Sequence, residues 1–394
     1  MTKKKLLFVI PGLDAGGAEK SLVNLLNAMD ESRFSVELFM FSHEGLFIGQ
    51  IPQWVRVIPK NEILVDFQKP LFHSLLTFFK KGKLSLAKDR FLFYLKNRFI
   101  KNSGRAEQYA WQHLRSACGT LPTHYDAAIG FLEKTANYFV VDCVAAKAKI
   151  AFIHTSYSEL KLDTAFDAQY FSAMNSIAVV SPDCAANFEE IFPEFAGKVT
   201  VMPNIVSSQL INKLSMEQPD GLFESAVVSI GRLETVKGFD LAIESARILK
   251  EKNIAFHWSI IGEGTERANL QNMIERYDLK DHVTLLGLKD NPYPWIRTAQ
   301  IFVQSSRYEG KSIAVDEAKI LAKPIVLTNF STGKDQIEHT VNGLIVDMTP
   351  EGIAGGIERY LNDAAFAAQI SAELQTQNFG TEHEISKFYQ LINE

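Results

Sequence analysis

Short runs rich in Val, Ile, Leu and Phe alternate with helical stretches along most of this chain, and that alternation leaves few folds open. KKLLFVI near the start leads through the loop PGLDAGG into AEKSLVNLLNAM, and FSVELFMF follows at 34–41. DAAIGF (126–131), AKIAFIH (148–154), SIAVVS (176–181) and KVTVMPN (198–204) continue the series. A segment without a strong period, VSSQLINKLSMEQPDGLF (206–223), reads as a linker, after which the same grammar restarts. SAVVSIG, FHWSIIG, HVTLLG, IFVQSS, PIVLT and GLIVD read as strands, with helices such as DLAIESARILKEK between them. Apolar strands separated by helices predict an α/β fold whose parallel sheets are covered on both faces. The expected division is 1–206 and 207–376, each a Rossmann-like unit, with a C-terminal amphipathic helix within 377–394 that could return to the first.

A chain of 394 residues, 46% of them hydrophobic, fits two domains of ~100–200 residues each. The apolar run Leu6–Ile10 is broken at once by Pro11 and Gly12, too short for a signal-peptide core or a membrane span. Cys118, Cys143 and Cys184 lie far apart without metal-ligand spacing and suit a reducing cytosol. The net charge of −5 is uneven. From Lys69 to Arg105 ten basic residues face one acid, Asp89, so this stretch carries +9 against −14 elsewhere. Phe72, Phe78, Phe79, Phe91, Phe93, Tyr94 and Phe99 are interleaved with those charges. Two readings stand: a surface attracted to an anionic bilayer, or an insertion that packs its aromatics inward beneath solvated lysines. Nucleic acid is not expected, because the rest of the chain is acidic.

Four places could carry chemistry. In PGLDAGGAEKS, glycines 12, 16 and 17 permit close backbone approach before a helix N-terminus, which serves either an anion or simply a tight turn. In SIGRLETVKGFD, Arg232 and Lys237 follow a strand at the sheet edge where open α/β folds bind ligands. They could hold a diphosphate or merely be solvated loop charge. In RYEGKSIAVDEAKILAKP, Ser312 can cap a helix whose polar stripe is Ser312, Asp316, Lys319 and Lys323. Glu317 lies off that stripe, among Ile313, Ala314, Ile320 and Leu321, eight residues after Glu309. An acid on an apolar face needs donors, which a structural cation or sugar hydroxyls could supply. Backbone N–H groups at Lys311, Ser312 and Ile313 open that helix and would attract phosphate. His154 ends AKIAFIH, either packed there or facing a ligand. No DxD, HExxH, GxSxG, P-loop or GxGxxG spacing occurs, so neither a bound metal nor a dinucleotide cofactor is expected.

Taken together, PGLDAGGAEKSLVNLL, VVSIGRLETVKGFDLAIESARIL, IIGEGTERANLQNMIERYDLKDHVTLLG and SSRYEGKSIAVDEAKILAKPIVLT with VNGLIV resemble glycosyltransferase family 4. The likeness is strong from about 225 to 347 and thinner before it, and 60–115 matches nothing in the pattern. It implies a GT-B fold, two Rossmann-like domains facing across a cleft, and retaining transfer from a nucleotide sugar without a metal. Arg232 and Lys237 would then hold the diphosphate, Glu309 the donor sugar, and Glu317 the ribose. His154 would reach the transferred sugar, and Gly16 and Gly17 would let the first loop approach the phosphates. Gly262, Gly287 and Leu288 would lie by the nucleoside, and Gly310, Lys311, Ser312 and Ile313 by the donor. Lys311 and Ala322 depart from the pattern, which more often has an apolar residue and a glycine at those places.

The expected enzyme is cytoplasmic and peripherally membrane-associated through 69–105. It would extend a glycan, lipid-linked in the favoured reading, for a cell-surface polysaccharide. Two rivals remain: a dinucleotide-dependent oxidoreductase with two Rossmann domains, and a non-catalytic sugar-nucleotide-binding partner of another transferase.

Overall fold

The computed structural model describes residues 3–14, 16–218, 221 and 226–392. Among them, two wholly parallel sheets form two α/β units. The first sheet contains β1 (Lys4–Ile10), β2 (Phe34–Met40), β3 (Arg56–Ile58), β4 (His124–Gly130), β5 (Ala145–Ile153), β6 (Ser176–Val179) and β7 (Val199–Val201), in the order β3-β2-β1-β4-β5-β6-β7. The second contains β8 (Val227–Ile230), β9 (Trp258–Ile261), β10 (Val283–Gly287), β11 (Ile301–Gln304), β12 (Ile325–Thr328) and β13 (Leu344–Val346), in the order β10-β9-β8-β11-β12-β13. Central strands are buried along their length: Leu6 to Ile10 of β1 and all of β11 and β12 are closed to solvent. Strands buried on both faces have no polar alternation, which is why they read as continuous apolar runs.

The units divide at Pro203 and Asn204 rather than after 206, and the second runs to His383. Gly16 and Gly17 group with the second unit, and the chain from Glu384 with the first. There the helix Ile385–Leu391 stacks Phe388 on Phe8 with ring centroids 5.7 Å apart. Tyr389 Oη accepts the Asp30 N–H at 3.0 Å.

The linker expected at 206–223 is in part a helix, Ser208–Ser215. Ser207 caps it, its Oγ accepting the Leu210 N–H at 3.2 Å. Ile211 buries against the cluster holding Trp295 and Ile313, so packing supplies what one short period could not announce. Residues 219, 220, 222 and 223 of that stretch lie outside the described residues.

The unassigned region 60–115 forms four helices, Glu62–Gln68, Leu71–Lys80, Leu84–Phe99 and Ser103–Cys118. Its aromatics divide between the two readings. Phe67 and Phe78 are buried and Phe93 packs against the core, whereas Phe72 is 83% exposed, Phe99 75% and Phe79 57%. No helix among the described residues is long and apolar enough to cross a membrane.

Ala322, which stands where the resemblance leads one to expect glycine, keeps the left-handed backbone that glycine favours, with φ +52°. It closes the helix Ile313–Ile320 as the Lys323 N–H donates to Ala318 O at 2.9 Å. An L-residue in that conformation carries a strain of ~1–2 kcal/mol. Ala322→Gly is therefore expected to raise unfolding stability in urea by roughly 0.5–1 kcal/mol, after the lost methyl contact is counted. A lower midpoint would show that the methyl outweighs the strain.

Candidate functional site

In the second sheet the strand order reverses between β8 and β11, so the loops after these strands diverge and leave a crevice at their carboxyl ends. The β8 loop carries Arg232 and Lys237, and the β11 loop carries Glu309. Lys237 Nζ and Glu309 Oε1 meet at 2.5 Å, with side chains only 19% and 11% exposed. The same Oε1 accepts Ser306 Oγ at 2.7 Å and Gln304 Nε2 at 3.0 Å, while Thr332 Oγ1 donates to the Glu309 carbonyl at 2.8 Å. Among the described residues every bond to this carboxylate falls on Oε1 and none on Oε2. Arg232 is exposed on the same loop as Lys237, and no hydrogen bond or ion pair among the described residues ties it to this cluster.

The two loops are latched together. Arg307 forks onto Asp240, Nη1 to Oδ1 at 2.7 Å and Nη2 to Oδ2 at 2.6 Å. Burial alone would raise the Asp240 carboxyl, but the guanidinium outweighs it and holds the group below its ordinary value. Ser305 Oγ donates to the Lys237 carbonyl at 3.0 Å. A Cβ on Gly238 would fall 2.0 Å from Ser305 O, so only glycine allows this approach. A second close approach joins neighbouring strand ends: a Cβ on Gly262 would lie 1.9 Å from Gly231 O, and the Gly262 N–H donates to Gly287 O at 3.0 Å. Gly287 and the 43% exposed Leu288 follow on the same rim.

Beside them, the helix Ile313–Ile320 is more completely buried than its polar stripe suggests. Asp316 is 4% and Lys319 9% exposed, and Glu317 only 1%. Tyr293 Oη donates to Glu317 Oε1 at 3.1 Å, so the acid has a neutral phenol among its partners. Lys311 Nζ lies 3.1 Å from Asp316 Oδ2, which occupies the extra cation flagged in the sequence. Lys319 Nζ donates to Gln336 O at 2.9 Å. Ser312 sits at the N-cap position but makes no side-chain cap; its Oγ lies 3.3 Å from Gln304 Oε1. Gln336 replaces the cap, its Oε1 accepting the Ser312 N–H at 2.9 Å and its Nε2 donating to Ser312 O at 2.8 Å. Ile313 is buried in the core below, and Gly310 lies in the loop between Glu309 and Lys311.

The structure thus gathers Lys237 and Glu309, places Arg232 on their rim, and sets Glu317 one helix further on. Sequence reasoning missed Gln304, Ser306, Tyr293, Thr332 and Gln336. QSS immediately before the Glu309 loop was the available signal for the first two; the others come from distant segments. In the first unit, His154 follows β5 and packs against Phe131 and Phe152, ring centroids 5.0 and 5.8 Å away. Glu133, buried after β4, accepts the backbone N–H groups of His154 and Thr155. Burial pushes the Glu133 carboxyl up. Gly16 precedes, and Gly17 begins, the helix Gly17–Ala28.

Tyr293→Phe removes one donor from the buried Glu317 carboxylate and is expected to cost on the order of 1–3 kcal/mol of stability in urea unfolding. A change below a few tenths would mean that Tyr293 does not hold the acid.

Residues 222–377 match the family model described as glycosyl transferases group 1. The poly(ribitol-phosphate) alpha-N-acetylglucosaminyltransferase of Staphylococcus aureus is 30% identical over 175 residues, 43% of this chain and 36% of that protein. The chain spans 55%, 36% and 43% of the length of three such curated relatives. A Campylobacter jejuni relative, N-acetylgalactosamine-N,N'-diacetylbacillosaminyl-diphospho-undecaprenol 4-alpha-N-acetylgalactosaminyltransferase, is 21% identical over 91% of both chains. Among solved structures, Anabaena HepE in complex with UDP and glucose superposes with a TM-score of 0.68 at 18% identity, covering 99% of this chain and 100% of that one. The chain has the two-sheet α/β architecture of GT-B glycosyltransferases, and its second unit carries the group 1 glycosyl transferase pattern.

Proposed function

We propose that the chain is a retaining glycosyltransferase of family 4 that moves a sugar from a nucleotide-diphosphate donor to a glycan acceptor for a cell-surface polysaccharide. The observation that carries this is the Lys237–Glu309 pair, sunk at the strand-order reversal of the second sheet inside the segment that matches group 1 glycosyl transferases. In this reading Arg232 and Lys237 hold the diphosphate and neutralise charge as it leaves. Glu309 receives the donor sugar, and Glu317 the ribose hydroxyls. Gly262, Gly287 and Leu288 line the nucleoside, while Gly310 and the N–H groups of Lys311, Ser312 and Ile313 face the donor. His154, in the first unit, is assigned to the transferred sugar, and Gly16 and Gly17, which group with the second, to the approach of phosphate.

Retention needs no protein nucleophile here. The departing phosphate takes the proton of the acceptor hydroxyl on the face it leaves, through an oxocarbenium-like transition state. Catalysis is then electrostatic stabilisation and positioning. Lys237, held by Glu309, and the exposed Arg232 supply the positive charge, so the proposal invokes no metal.

The acceptor is proposed to be lipid-linked and the enzyme to work at the cytoplasmic membrane surface. Support comes from the C. jejuni relative, whose name specifies a diphospho-undecaprenol substrate, and from the exposed aromatics of 69–105. Lys69 and Lys81 are each paired with Asp66 at 2.6 Å, which leaves Lys80, Lys83 and Lys88 as better candidates for lipid contact.

Two measurements follow. A thermal-shift screen of nucleotide sugars, beginning with UDP donors because HepE carries UDP, should find one that adds ~2.7 kcal/mol at 100 times its Kd. Lys237→Ala should abolish that shift; its survival would remove the diphosphate assignment. Changing Lys80, Lys83 and Lys88 together to Gln should weaken binding to phosphatidylglycerol vesicles on the order of a hundredfold, at about 1 kcal/mol per charge. Undiminished binding would end the membrane reading.

A further inference from the structure

The first unit contains a cavity of about 270 Å³ at the carboxyl edge of its sheet. Pro11 after β1, Phe41 after β2 and Thr135 after β4 form its strand side. The edge is again a strand-order reversal, here between β1 and β4. Arg90 and Phe93, both from the helix Leu84–Phe99, line it as well, together with Phe67. Phe67 and Phe93 meet edge-on at 5.4 Å, and the Arg90 guanidinium lies 5.5 and 5.8 Å from their ring centres.

Arg90 is unlike the other cations of its segment. Its Nη2 donates to the Lys69 carbonyl at 3.2 Å, but its buried Nε has no hydrogen-bond partner among the described residues. No acid among the described residues forms an ion pair with it. Glu107 also lines the cavity, but its carboxylate is occupied by Lys134 Nζ at 2.5 Å and Thr135 Oγ1 at 2.6 Å. Arg90 is half-buried, with only its Nε closed off from solvent, and this desolvation lowers its pKa; an anion reaching Nε would give it the partner it lacks. The volume falls just short of the ~300 Å³ at which pockets for drug-sized ligands begin, so one small head group fits. The same helix presents Phe91, 45% exposed, and Tyr94, 39% exposed, to solvent.

We infer that this cavity binds the phosphorylated head group of an amphiphile, with Arg90 taking the phosphate and the rings of Phe41, Phe67 and Phe93 lining the apolar side. As an acceptor subsite it rests on the transferase reading; as a binding site it does not. Phosphate could come from an amphiphile or from free anion, and the exposed aromatics on the same helix favour the amphiphile.

Geranyl phosphate, geraniol and inorganic phosphate are titrated calorimetrically into the full chain with UDP in excess, so that the second unit's cations are occupied. Geranyl phosphate should bind at least about tenfold more tightly than either of the others, since a charge-assisted bond and apolar contact are both required. Equal binding of geraniol would overturn the role of Arg90, and equal binding of inorganic phosphate would overturn the amphiphile, both without any variant. R90Q should weaken geranyl phosphate binding about ten- to a hundredfold, and R90K should restore part of it, each with wild-type circular dichroism. Undiminished binding in R90Q, or none in the wild type, refutes the site. A separate titration with UDP alone tests the donor assignment, so failure there leaves the cavity's result standing.

Discussion

The reversal of strand order between β8 and β11 is the constraint on which the candidate site depends. Helices following these strands pass to opposite faces of the sheet, and the loops between strand and helix part over a crevice. Lys237 and Glu309, 72 residues apart, meet there at 2.5 Å. On an exposed loop such a pair would contribute little, because water screens it and both side chains lose freedom. The fork of Arg307 onto Asp240 and the contact of Gly238 with Ser305 hold the two loops in one arrangement. The charges are therefore fixed relative to each other before any ligand arrives, and preorganisation of this kind is what electrostatic catalysis requires.

Most of the fold was legible because parallel strands covered on both faces cannot hide among polar residues. β3 escaped notice because it is three residues long, Arg56–Ile58, and lies at the edge of its sheet. The helix Ser208–Ser215 escaped because eight residues give little more than two turns of periodicity, and its cap, Ser207, looks like linker sequence. The residues of the candidate site were legible as types: cations after one strand and acids after another. Their supports were not. Gln336 is 24 residues from Ser312, and nothing local marks its side chain as the replacement for a cap.

Periodicity also reports polarity rather than burial. Asp316 and Lys319 follow a helical stripe that in most proteins would face water, yet both are buried because Lys311 and Gln336 come to them. In the first unit the same limit applies in reverse. Phe72 and Phe78 sit six residues apart on one helix, one 83% exposed and the other fully buried, and composition alone could not sort them. Arg90 likewise stands among Lys88, Lys96 and Arg98 in sequence, and only the fold turns it inward onto Phe67 and Phe93.

Three charged residues on the helix Ile313–Ile320 are buried, and they differ in what meets their charge. Asp316 has a cation, Lys311. Lys319 has a carbonyl and, 4.1 Å away, the face of Phe379. Glu317 has among its partners Tyr293, a neutral phenol that donates to Oε1. A carboxylate becomes the better choice when two donors must be accepted side by side, because both its oxygens accept whereas one end of an amide donates. Vicinal hydroxyls of a ribose pose that demand. In the proposed reading Glu317 would accept both of them.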